Sequence, residues 1–438
     1  MTPPAGERAL VVGLGRSGLA LASFLAARGV RVRACDLRPA ERIGPALRRL
    51  PPGSETVLGG YDLRVLEDCA AVYASPGVPW DAELLERARA ASVPVSSEID
   101  LFFRLCPAPI VGVTGTNGKT TTTALAGSVL ARGPRPVVVG GNIGDTVLDR
   151  LGELTPEHWV VLELSSFQLE SCAHPHARIA CVLNLTPDHL DRHGSMDAYV
   201  AAKARLVRAS EPGDDVVLNG LDPRCRSLAS QTSGRVTWFD EHRPVPPVAL
   251  PGEHNRLNAL AAAAIGRAAG LPDDAIEEGV RRFPGVEHRL ELVGEWGGVR
   301  WYNDSKATNP DAGLVGLRAF AGRPLVLIAG GYGGGFELAE WTAAVRSLTH
   351  TVVLMGASGD ELAERLAGHH VLRAGSLDEA VALADSAAQS GDTVLLSPAY
   401  KSYDMFASYE ERGRLFKGAV RELHAPSPPD GEGRGGWE

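Results

Sequence analysis

Lys119 and Thr120 follow the glycines of a turn in the stretch GVTGTNGKTTTT, which begins at residue 112. In such a turn Gly115 and Gly118 let backbone amides face an anion, the lysine adds a positive charge, and the threonine offers a hydroxyl to Mg²⁺. Val113 occupies the position of the first glycine in the strict phosphate-loop pattern, so the loop is a variant of it. Its context, between an apolar run and a helical pattern, predicts a nucleoside-triphosphate site; the alternative is a structural glycine turn.

A second glycine turn, GLGRSG at residues 13–18, matches the GxGxxG pattern in full. It follows a strand pattern, precedes a helix pattern, and is followed by Asp36 at the end of the next predicted strand. Taken alone, the turn indicates a dinucleotide cofactor, although the same geometry could hold another diphosphate. Two phosphate-type turns in one chain favour ATP together with a nucleotide-linked substrate.

Two further side chains stand where predicted strands end. Glu163 ends WVVLE, where a carboxylate is poorly solvated and Mg²⁺ is a natural partner; a hydrogen-bonded structural carboxylate is the alternative. His189, in LNLTPDHLDRH, is interpreted as a metal or substrate ligand because it follows a strand. An isolated histidine in a turn is nevertheless more often structural.

Lys203 occupies an unusual position for a lysine. In DAYVAAKARLV it shares a predicted helix face with Tyr199 and Leu206, whereas Arg205 and Arg208 point elsewhere. The pattern therefore predicts a buried lysine. This lysine is either the partner of a buried carboxylate or an amine used in chemistry, because burial favours its neutral form.

The elements that must position these side chains form an α/β pattern throughout. Short apolar runs alternate with helical stretches, which predicts mostly parallel sheets covered by helices. The length of 438 residues favours about three domains. We expect a Rossmann-like domain at 1–96, a central P-loop ATPase domain at 97–286, a Rossmann-like α/β domain at 287–424 and a disordered tail at 425–438. The segment SVPVSSEID is predicted to be the first hinge.

Composition excludes several classes of function. The chain has 44 basic and 53 acidic residues and a net charge of -9, which argues against nucleic acid as the main partner. It lacks a long apolar run and the pattern of a signal peptide, so we expect a cytoplasmic protein with no membrane insertion. Six cysteines without C-x-x-C spacing are expected to be reduced thiols. We also expect a monomer.

Together these stretches resemble the Mur ligase family. The matching segments occur in the family's order over nearly the whole chain: GLGRSG, SPGVP, GVTGTNGKTTTT, GGNIG, ELSSFQLE, NLTPDHLDRHGS, PGEHNRLNALAA, EHRLE, NDSKATN, SPAYKSYDMF and YEERG. NDSKATN resembles the D-glutamate-adding branch. The resemblance implies three domains and the ATP-dependent joining of D-glutamate to UDP-N-acetylmuramoyl-L-alanine through an acyl phosphate, in peptidoglycan precursor synthesis.

The resemblance also implies which residues hold each ligand. The UDP-sugar would contact Ser17, Asp36, Leu37, Arg38, Ser75, Gly77, Asn142 and His189. ATP would be held by Gly115, Thr116, Asn117, Gly118, Lys119, Thr120, Thr121, Asn255, Asn258, Arg289 and Asp304. D-glutamate would be held by Lys306, Thr308, Lys401, Ser402 and Tyr409. Two Mg²⁺ ions would be bound by Thr120, Glu163, His189 and Lys203, with Lys203 carbamylated by CO₂; these four and Lys119 would be the catalytic residues.

One position departs from the family pattern. In IAGGYGGGFEL, Gly334 stands where the family has a lysine that pairs with a carboxylate of glutamate, and we hypothesise that Lys401 supplies the charge instead. Another amino-acid specificity therefore stays open. An NAD-dependent oxidoreductase would explain GLGRSG and Asp36 but would leave Lys119 without a role. A non-catalytic nucleotide switch would not need Lys203 on an apolar helix face.

Overall fold

The structure, a computed structural model, describes residues 2–60, 62–143, 146–240 and 252–425. The chain divides into two compact units, one of Met1–Val248 and His254–Phe283 and the other of Ala249–Glu253 and Pro284–Glu438. The first unit contains two sheets and the second contains one. The domain boundaries at residues 96 and 286 stay predictions, and the predicted tail lies almost wholly outside the described residues.

The first sheet has five parallel strands in the order β3-β2-β1-β4-β5. Its strands are β1 (Arg8–Val12), β2 (Arg31–Asp36), β3 (Glu55–Leu58), β4 (Cys69–Ala74) and β5 (Val95–Ser97). Its helices are α1 (Arg16–Ala26), α2 (Ala40–Leu47) and α3 (Glu83–Ala90). Along the chain, β2 and β3 are added on one side of β1, and β4 and β5 are added on its other side. The carboxyl ends of β1 and β4 therefore border the crevice in which open α/β sheets bind ligands.

The predicted hinge at SVPVSSEID is regular structure. Its valine and serines form β5, and helix α4 (Glu98–Leu105) follows without an intervening loop. The hydroxyl of Ser97 accepts a hydrogen bond from the amide of Asp100 at 3.2 Å and so caps this helix. The junction between the two sheets of the first unit is thus a strand joined directly to a capped helix.

The second sheet has six parallel strands in the order β11-β10-β9-β6-β8-β7. Its strands are β6 (Ile110–Thr114), β7 (Val137–Gly141), β8 (Trp159–Glu163), β9 (Ile179–Val182), β10 (Asp215–Asn219) and β11 (Arg235–Phe239). Its helices are α5 (Lys119–Leu130), α6 (Ser166–Glu170), α7 (Leu190–His193), α8 (Met196–Arg208), α9 (Pro223–Ser227), α10 (Glu253–Ala268) and α11 (Asp273–Arg281). Because β6 lies between β8 and β9, the segments that follow these three strands meet at one edge.

The sheet of the second unit has the order β12-β13-β17-β14-β15-β16. Its strands are β12 (Glu291–Trp296), β13 (Val299–Asn303), β14 (Leu325–Ala329), β15 (Thr351–Met355), β16 (Val371–Ala374) and β17 (Thr393–Leu396). Its helices are α12 (Pro310–Arg318), α13 (Ala339–Leu348), α14 (Gly359–Arg365), α15 (Leu377–Ala387) and α16 (Tyr409–Leu423). The β12–β13 pair is antiparallel and the other pairs are parallel.

Several sequence-based expectations about the fold are confirmed. The chain is α/β with mostly parallel sheets, as the alternation of apolar and helical stretches predicts. The antiparallel β12–β13 hairpin turns at Gly297 and Gly298, both at positive φ. All six cysteines are free thiols, and five of them are buried.

Among the described residues, no helix is both long and apolar enough to cross a membrane.

Candidate active site

A cavity of about 650 Å³, called here the N-terminal cleft, lies at the carboxyl ends of β1 and β4. It is lined by Ser17, Asp36, Leu37, Arg38, Ser75 and Gly77, together with residues of the glycine turn and of the stretch Pro76–Ala82. These are six of the eight residues that the resemblance assigns to the UDP-sugar. The sequence segments after β1, β2 and β4 therefore converge on one cleft, as the strand order requires.

Asp36 holds the first glycine turn in shape. Its Oδ2 accepts hydrogen bonds from the amide of Leu14 at 2.8 Å and from the guanidinium of Arg38 at 2.7 Å. Its Oδ1 accepts two more from Arg38, both at 2.9 Å. The Arg38 side chain is the main reason that the pKa of Asp36 falls to about 2. Four hydrogen bonds fill the acceptor positions of the carboxylate, which disfavours the free ribose acceptor that a dinucleotide site needs.

The phosphate loop joins β6 to α5 and is anchored to the segment that follows the neighbouring strand β9. Gly118, at φ +82°, precedes the helix, and Gly115 has φ +151°. The amide of Thr116 donates to the carbonyl of Asn184, and the amide of Asn117 donates to the Asn184 side chain, each at 2.8 Å. Lys119 lies over the loop, because its Nζ donates to the carbonyl oxygens of Gly115 at 3.0 Å and Thr116 at 2.7 Å. The loop is preformed, with the lysine ammonium above it.

Asn258 and Asn255 lie beside this loop, three positions apart and therefore on one face of α10. The Oδ1 of Asn258 accepts a hydrogen bond from the hydroxyl of Thr122 at 3.2 Å, and its Nδ2 donates to Asn255 Oδ1 at 3.1 Å. A Cβ atom at Gly118 would collide with Asn258 Oδ1. The loop therefore needs glycine there for two reasons, the left-handed backbone and the close approach of the amide.

Lys203 is buried, as the sequence predicts, with a relative exposure of 1%. Its Nζ donates to the carbonyl of Gly115 at 2.8 Å and lies 4.7 Å from the centre of the Tyr199 ring. Burial is the main reason that its pKa falls to about 7, and the charge of Lys119 lowers it further. Lys203 forms no ion pair with a carboxylate within the described part of the chain. The structure therefore favours the interpretation that this amine is used in chemistry over the interpretation that it is the partner of a buried carboxylate.

Glu163, at the end of β8, is a buried carboxylate with one satisfied oxygen. Its Oε1 accepts a hydrogen bond from Asn142 Nδ2 at 2.9 Å, whereas Oε2 is buried and has no hydrogen-bond partner among the described residues. A buried carboxylate oxygen without a hydrogen-bond partner fits an oxygen-coordinated cation such as Mg²⁺. The described residues contain no cluster of three His, Cys, Asp or Glu side chains that could hold a metal alone. The donor set thus suits an ion bound partly by substrate phosphates.

A second cavity of about 220 Å³, called the loop cavity, brings together three of the five predicted catalytic residues, Lys119, His189 and Lys203. Its lining includes Lys119, Asn142, Ser166, His189 and Lys203. Asn142 and His189, the other two residues that the resemblance assigns to the UDP-sugar, line this cavity and not the N-terminal cleft. Thr120 and Glu163 are not part of the lining: Thr120 follows Lys119 at the start of α5, and Glu163 is reached through Asn142.

His189 stands at the rim of the loop cavity. It immediately precedes α7 and has a left-handed backbone, φ +50°, and its ring lies 5.0 Å from that of Phe167. Its side chain is 51% exposed, and its Nε2 is 3.5 Å from Asp188 Oδ2. An exposed imidazole in a fixed, unusual backbone conformation is available to a ligand.

The two cavities adjoin each other. Pro76 and Gly77, from the turn after β4, line both of them. A ligand that extends from the N-terminal cleft past this turn therefore reaches Lys119 and Lys203.

Asp304 and Arg289, in the second unit, interact electrostatically. Asp304 follows β13 and is buried; its carboxyl group accepts hydrogen bonds from Ser397 Oγ at 2.8 Å and from the amide of Leu290 at 3.3 Å. Burial raises the pKa of Asp304 to about 7, and the nearby charge of Arg289 opposes this rise. The role of both residues toward ATP stays a prediction.

The residues assigned to D-glutamate lie in two loops of the second unit that one arginine connects. Lys306 and Thr308 follow β13, whereas Lys401 and Ser402 follow β17 and Tyr409 begins α16. Arg412 is fully buried, and its guanidinium donates to the carbonyl and hydroxyl of Ser305, each at 2.9 Å, and to the carbonyl of Tyr400 at 3.2 Å. The arginine therefore holds the two loops side by side.

Lys401 lies beside the glycine loop that lacks the expected lysine. Its backbone pairs with that of Tyr332 through hydrogen bonds of 2.7 and 3.2 Å. Gly334, two residues farther along the glycine loop, is exposed and has open space around it. Lys401 is also exposed and forms no ion pair among the described residues. Its charge is free to meet an anion at this loop.

Three residues that shape these sites were not predicted from the sequence: Asn184, Arg412 and Glu98. Asn184 follows the apolar run of β9, where a polar side chain at a strand end was a usable signal. Arg412 precedes buried Phe416 by four residues, which is the same pattern that identified Lys203. Nothing in the sequence around Glu98 distinguishes it from an ordinary residue of a first helical turn.

Comparison with known proteins gives matches along most of the chain. Residues 7–97 match the family model of the MurD-like Mur ligase N-terminal domain, 113–246 the Mur ligase middle domain, and 288–400 the Mur ligase glutamate ligase domain. Two relatives named UDP-N-acetylmuramoylalanine--D-glutamate ligase, from Pelotomaculum thermopropionicum and Symbiobacterium thermophilum, are each 42% identical, with 95% of this chain and 98% of theirs covered.

A solved structure shows the same fold at lower identity. The UDP-N-acetylmuramate-alanine ligase of Thermotoga maritima superposes with a TM-score of 0.59 at 22% identity, covering 95% of this chain and 99% of its own.

Proposed function

The chain belongs to the Mur ligase family and is an ATP-dependent ligase that forms amide bonds, and from that premise we propose that it joins D-glutamate to UDP-N-acetylmuramoyl-L-alanine in cytoplasmic peptidoglycan precursor synthesis. The adjoining cavities of the first unit carry this proposal. A substrate whose diphosphate occupies the N-terminal cleft can extend past Gly77, so that its alanyl carboxylate enters the loop cavity beside Lys119.

The first step in this proposal is phosphoryl transfer to that carboxylate. A carboxylate oxygen attacks the γ-phosphorus of ATP, the bond to the ADP oxygen breaks, and an acyl phosphate forms. Lys119 stabilises the negative charge that builds on the phosphoryl oxygens, and the loop amides orient them. Because both reactants are anionic, fixed positive charge and exclusion of water supply much of the rate enhancement.

The amide bond forms in the second step. The amine of D-glutamate attacks the activated carbonyl carbon, the tetrahedral intermediate collapses, and orthophosphate leaves with the bonding electrons of the cleaved C–O bond. The amine loses a proton in this step. His189, exposed at the rim of the loop cavity, is a candidate acceptor if it is not occupied by a metal or the substrate.

Magnesium and a carbamate complete the proposed catalytic site. Thr120, Glu163 and His189 would hold two Mg²⁺ ions, which neutralise phosphate charge when bound. The unpartnered Oε2 of Glu163 supports this assignment. Lys203 fits carbamylation, because a buried amine with a pKa of about 7 is substantially neutral and can react with CO₂ at physiological pH. The resulting anion would lie near Lys119 and the metal ions.

Lys401 is proposed to neutralise a carboxylate of D-glutamate. The lysine lies next to the glycine loop through its pairing with Tyr332, and Ser402 follows it. Replacing Lys401 with Met should raise the KM for D-glutamate at least about tenfold with little change in the KM for ATP, because a charge-assisted contact contributes roughly 1.5–3 kcal/mol. Lys417→Met, which removes a lysine already paired with Glu287 and Glu291, is the matched control. An unchanged KM for D-glutamate would remove Lys401 from the site.

A stoichiometric assay tests the whole proposal. Purified protein, ATP, Mg²⁺ and UDP-N-acetylmuramoyl-L-alanine are incubated with a panel of amino acids, and ADP, orthophosphate and the amide product are measured. We expect equal amounts of the three products with D-glutamate and almost none with L-glutamate or D-aspartate. Phosphate release without amide would contradict the ligase reaction.

The same assay separates the second candidate, a Mur-type ligase for another amino acid. Gly334 favours this candidate, since the loop lacks the lysine expected for D-glutamate. Faster product formation with a different amino acid would establish it and leave the chemistry of the first step unchanged.

A further inference from the structure

Glu98 is a buried carboxyl group directly behind the first glycine turn. It begins α4, has a relative exposure of 2%, and lies with Oε2 3.3 Å from the hydroxyl oxygen of Ser17. Ser17 is only partly buried and lines the N-terminal cleft. One hydrogen bond therefore links an interior carboxyl group to the surface that would receive a diphosphate.

The groups that face Glu98 come from the two elements packed against the start of α4. Arg16 and Ser17 are contributed by α1, and the amide of Leu148 and the side chain of Asp149 by the 3-10 segment Val147–Glu153. Arg16, Ser17 and the Leu148 amide favour the charged carboxylate, whereas Asp149 opposes it. Burial exceeds these effects and raises the pKa of Glu98 to about 7.

The protonation state of Glu98 decides which way the Ser17 hydroxyl points. An ionised carboxylate can only accept, so Ser17 must donate its single hydrogen to Glu98. The serine then presents only lone pairs to the cleft, which repel phosphate oxygens. A protonated Glu98 can instead donate to Ser17, and the serine hydrogen becomes available to an anion.

We propose that Glu98 is a positioning residue for the diphosphate of the substrate: it is protonated when the substrate binds, donates to Ser17 Oγ, and thereby turns the Ser17 hydroxyl toward a diphosphate oxygen. This inference rests on the proposed function, because it takes the N-terminal cleft to be the diphosphate site. The proton comes from solvent, so binding takes up one proton wherever Glu98 is ionised in the free protein.

The sign of the pH dependence follows from this linkage. Negative charge in the cleft disfavours a nearby carboxylate, so the pKa of Glu98 rises from about 7 when substrate is bound. Below neutral pH Glu98 is already protonated and binding takes up no proton there. Above neutral pH each bound substrate requires protonation, so the Kd should increase by up to about tenfold for each pH unit.

Calorimetry with Glu98→Gln tests the proposal. Glutamine imitates the protonated acid, because its amide can donate to Ser17 and does not titrate. UDP-N-acetylmuramoyl-L-alanine is titrated near pH 8 into wild type and variant, in buffers with different heats of ionisation. We expect proton uptake approaching one in wild type and near zero in the variant, with similar Kd values near pH 6 and tighter binding by the variant above pH 8.

Asp149→Asn is the matched control. It removes one negative charge near Glu98 without touching Ser17, so its proton uptake should stay close to that of wild type. Lys203 also titrates near neutral pH, but Glu98→Gln leaves it unchanged, so the difference between the proteins isolates Glu98. Equal uptake in wild type and Glu98→Gln would overturn the proposal.

Thermal unfolding shows whether Glu98→Gln folds. If it does not fold, a second variant, Ser17→Ala, tests the proposal. Ser17→Ala should weaken binding and reduce proton uptake, because Glu98 loses the hydroxyl that favours its charged form. Full uptake in Ser17→Ala would contradict the proposed link. If wild-type protein does not bind the substrate at any pH, the proposed function of the cleft is wrong and not merely the role of Glu98.

Discussion

The two glycine turns of the first unit have the same backbone plan and different surroundings. One joins β1 to α1 and the other joins β6 to α5, each in the crevice at the carboxyl edge of a parallel sheet. Two carboxyl groups, Asp36 and Glu98, stand behind the first turn. Two lysines, Lys119 and Lys203, surround the second and donate to the same carbonyl, that of Gly115.

The shared glycine turn and the different surrounding charges have separate roles. The turn fixes where an anion can bind, because it aims amides and a helix N-terminus at one point. The neighbouring charges decide what happens to the anion. Carboxyl groups around the first turn suit a diphosphate that is bound and released without reacting. Lysines around the second turn suit a phosphoryl group whose negative charge grows during the reaction.

The largest effect is expected at Lys119. Lys119→Met should lower kcat at least about 10³-fold, because it removes a cation that acts on the transferred phosphoryl group. Arg16→Met is its counterpart at the first turn and should change the KM for the UDP-substrate with little change in kcat. Steady-state kinetics measure both. A large loss of kcat in Arg16→Met would erase the contrast between the turns.

The second-largest effect is expected at Lys203. Lys203→Met is expected to lower kcat about 10²-fold, whereas Arg208→Met, an exposed change on the same helix, should be silent. A carbamate requires the neutral amine, and with a pKa of about 7 that form declines as pH falls below neutral. The ¹³C signal of protein exposed to ¹³CO₂ should therefore be strong near pH 8 and weak near pH 6. No signal at either pH would reject carbamylation.

The third effect concerns stability. A Cβ at Gly18 would collide with the carbonyl oxygen of Gly13 and lie 2.9 Å from Ser75 Oγ, and a backbone neighbour cannot move aside cheaply. Gly18→Ala should lower the free energy of unfolding by about 2 kcal/mol. Gly15→Ala is the control, because Gly15 has φ -81° and open space around it. Denaturant unfolding measures both, and equal values would show that the turn is not closely packed.

The smallest effect is expected at Asp36. Asp36→Asn should raise the KM for the UDP-substrate about tenfold and leave kcat unchanged, because it weakens the charged contacts to Leu14 and Arg38. The pKa of Asp36 is lowered to about 2, so its stabilising contribution is present above pH 4 and is lost as pH falls through 2. The wild-type advantage in unfolding temperature should thus be constant between pH 5 and 8 and shrink near pH 2. An advantage that changes between pH 5 and 8 would contradict this assignment.

Local sequence was sufficient for the elements and for several site residues. The phosphate loop, the burial of Lys203 and the pairing of Asn255 with Asn258 all depend on spacings of a few residues, which the helix period converts into shared faces. The α/β class follows from the alternation of apolar runs and helical stretches in the same way. These features need no knowledge of distant contacts.

Tertiary structure alone decided which distant segments became neighbours. Glu98 lies behind Ser17 across 81 positions, Asn184 holds a loop 67 positions away, and Arg412 joins two loops because α16 packs beside them. The predicted hinge became a strand joined to a helix, because β5 completes the first sheet by pairing with β4. Hydrogen bonds and burial between remote segments depend on sheet order, which a local pattern does not encode.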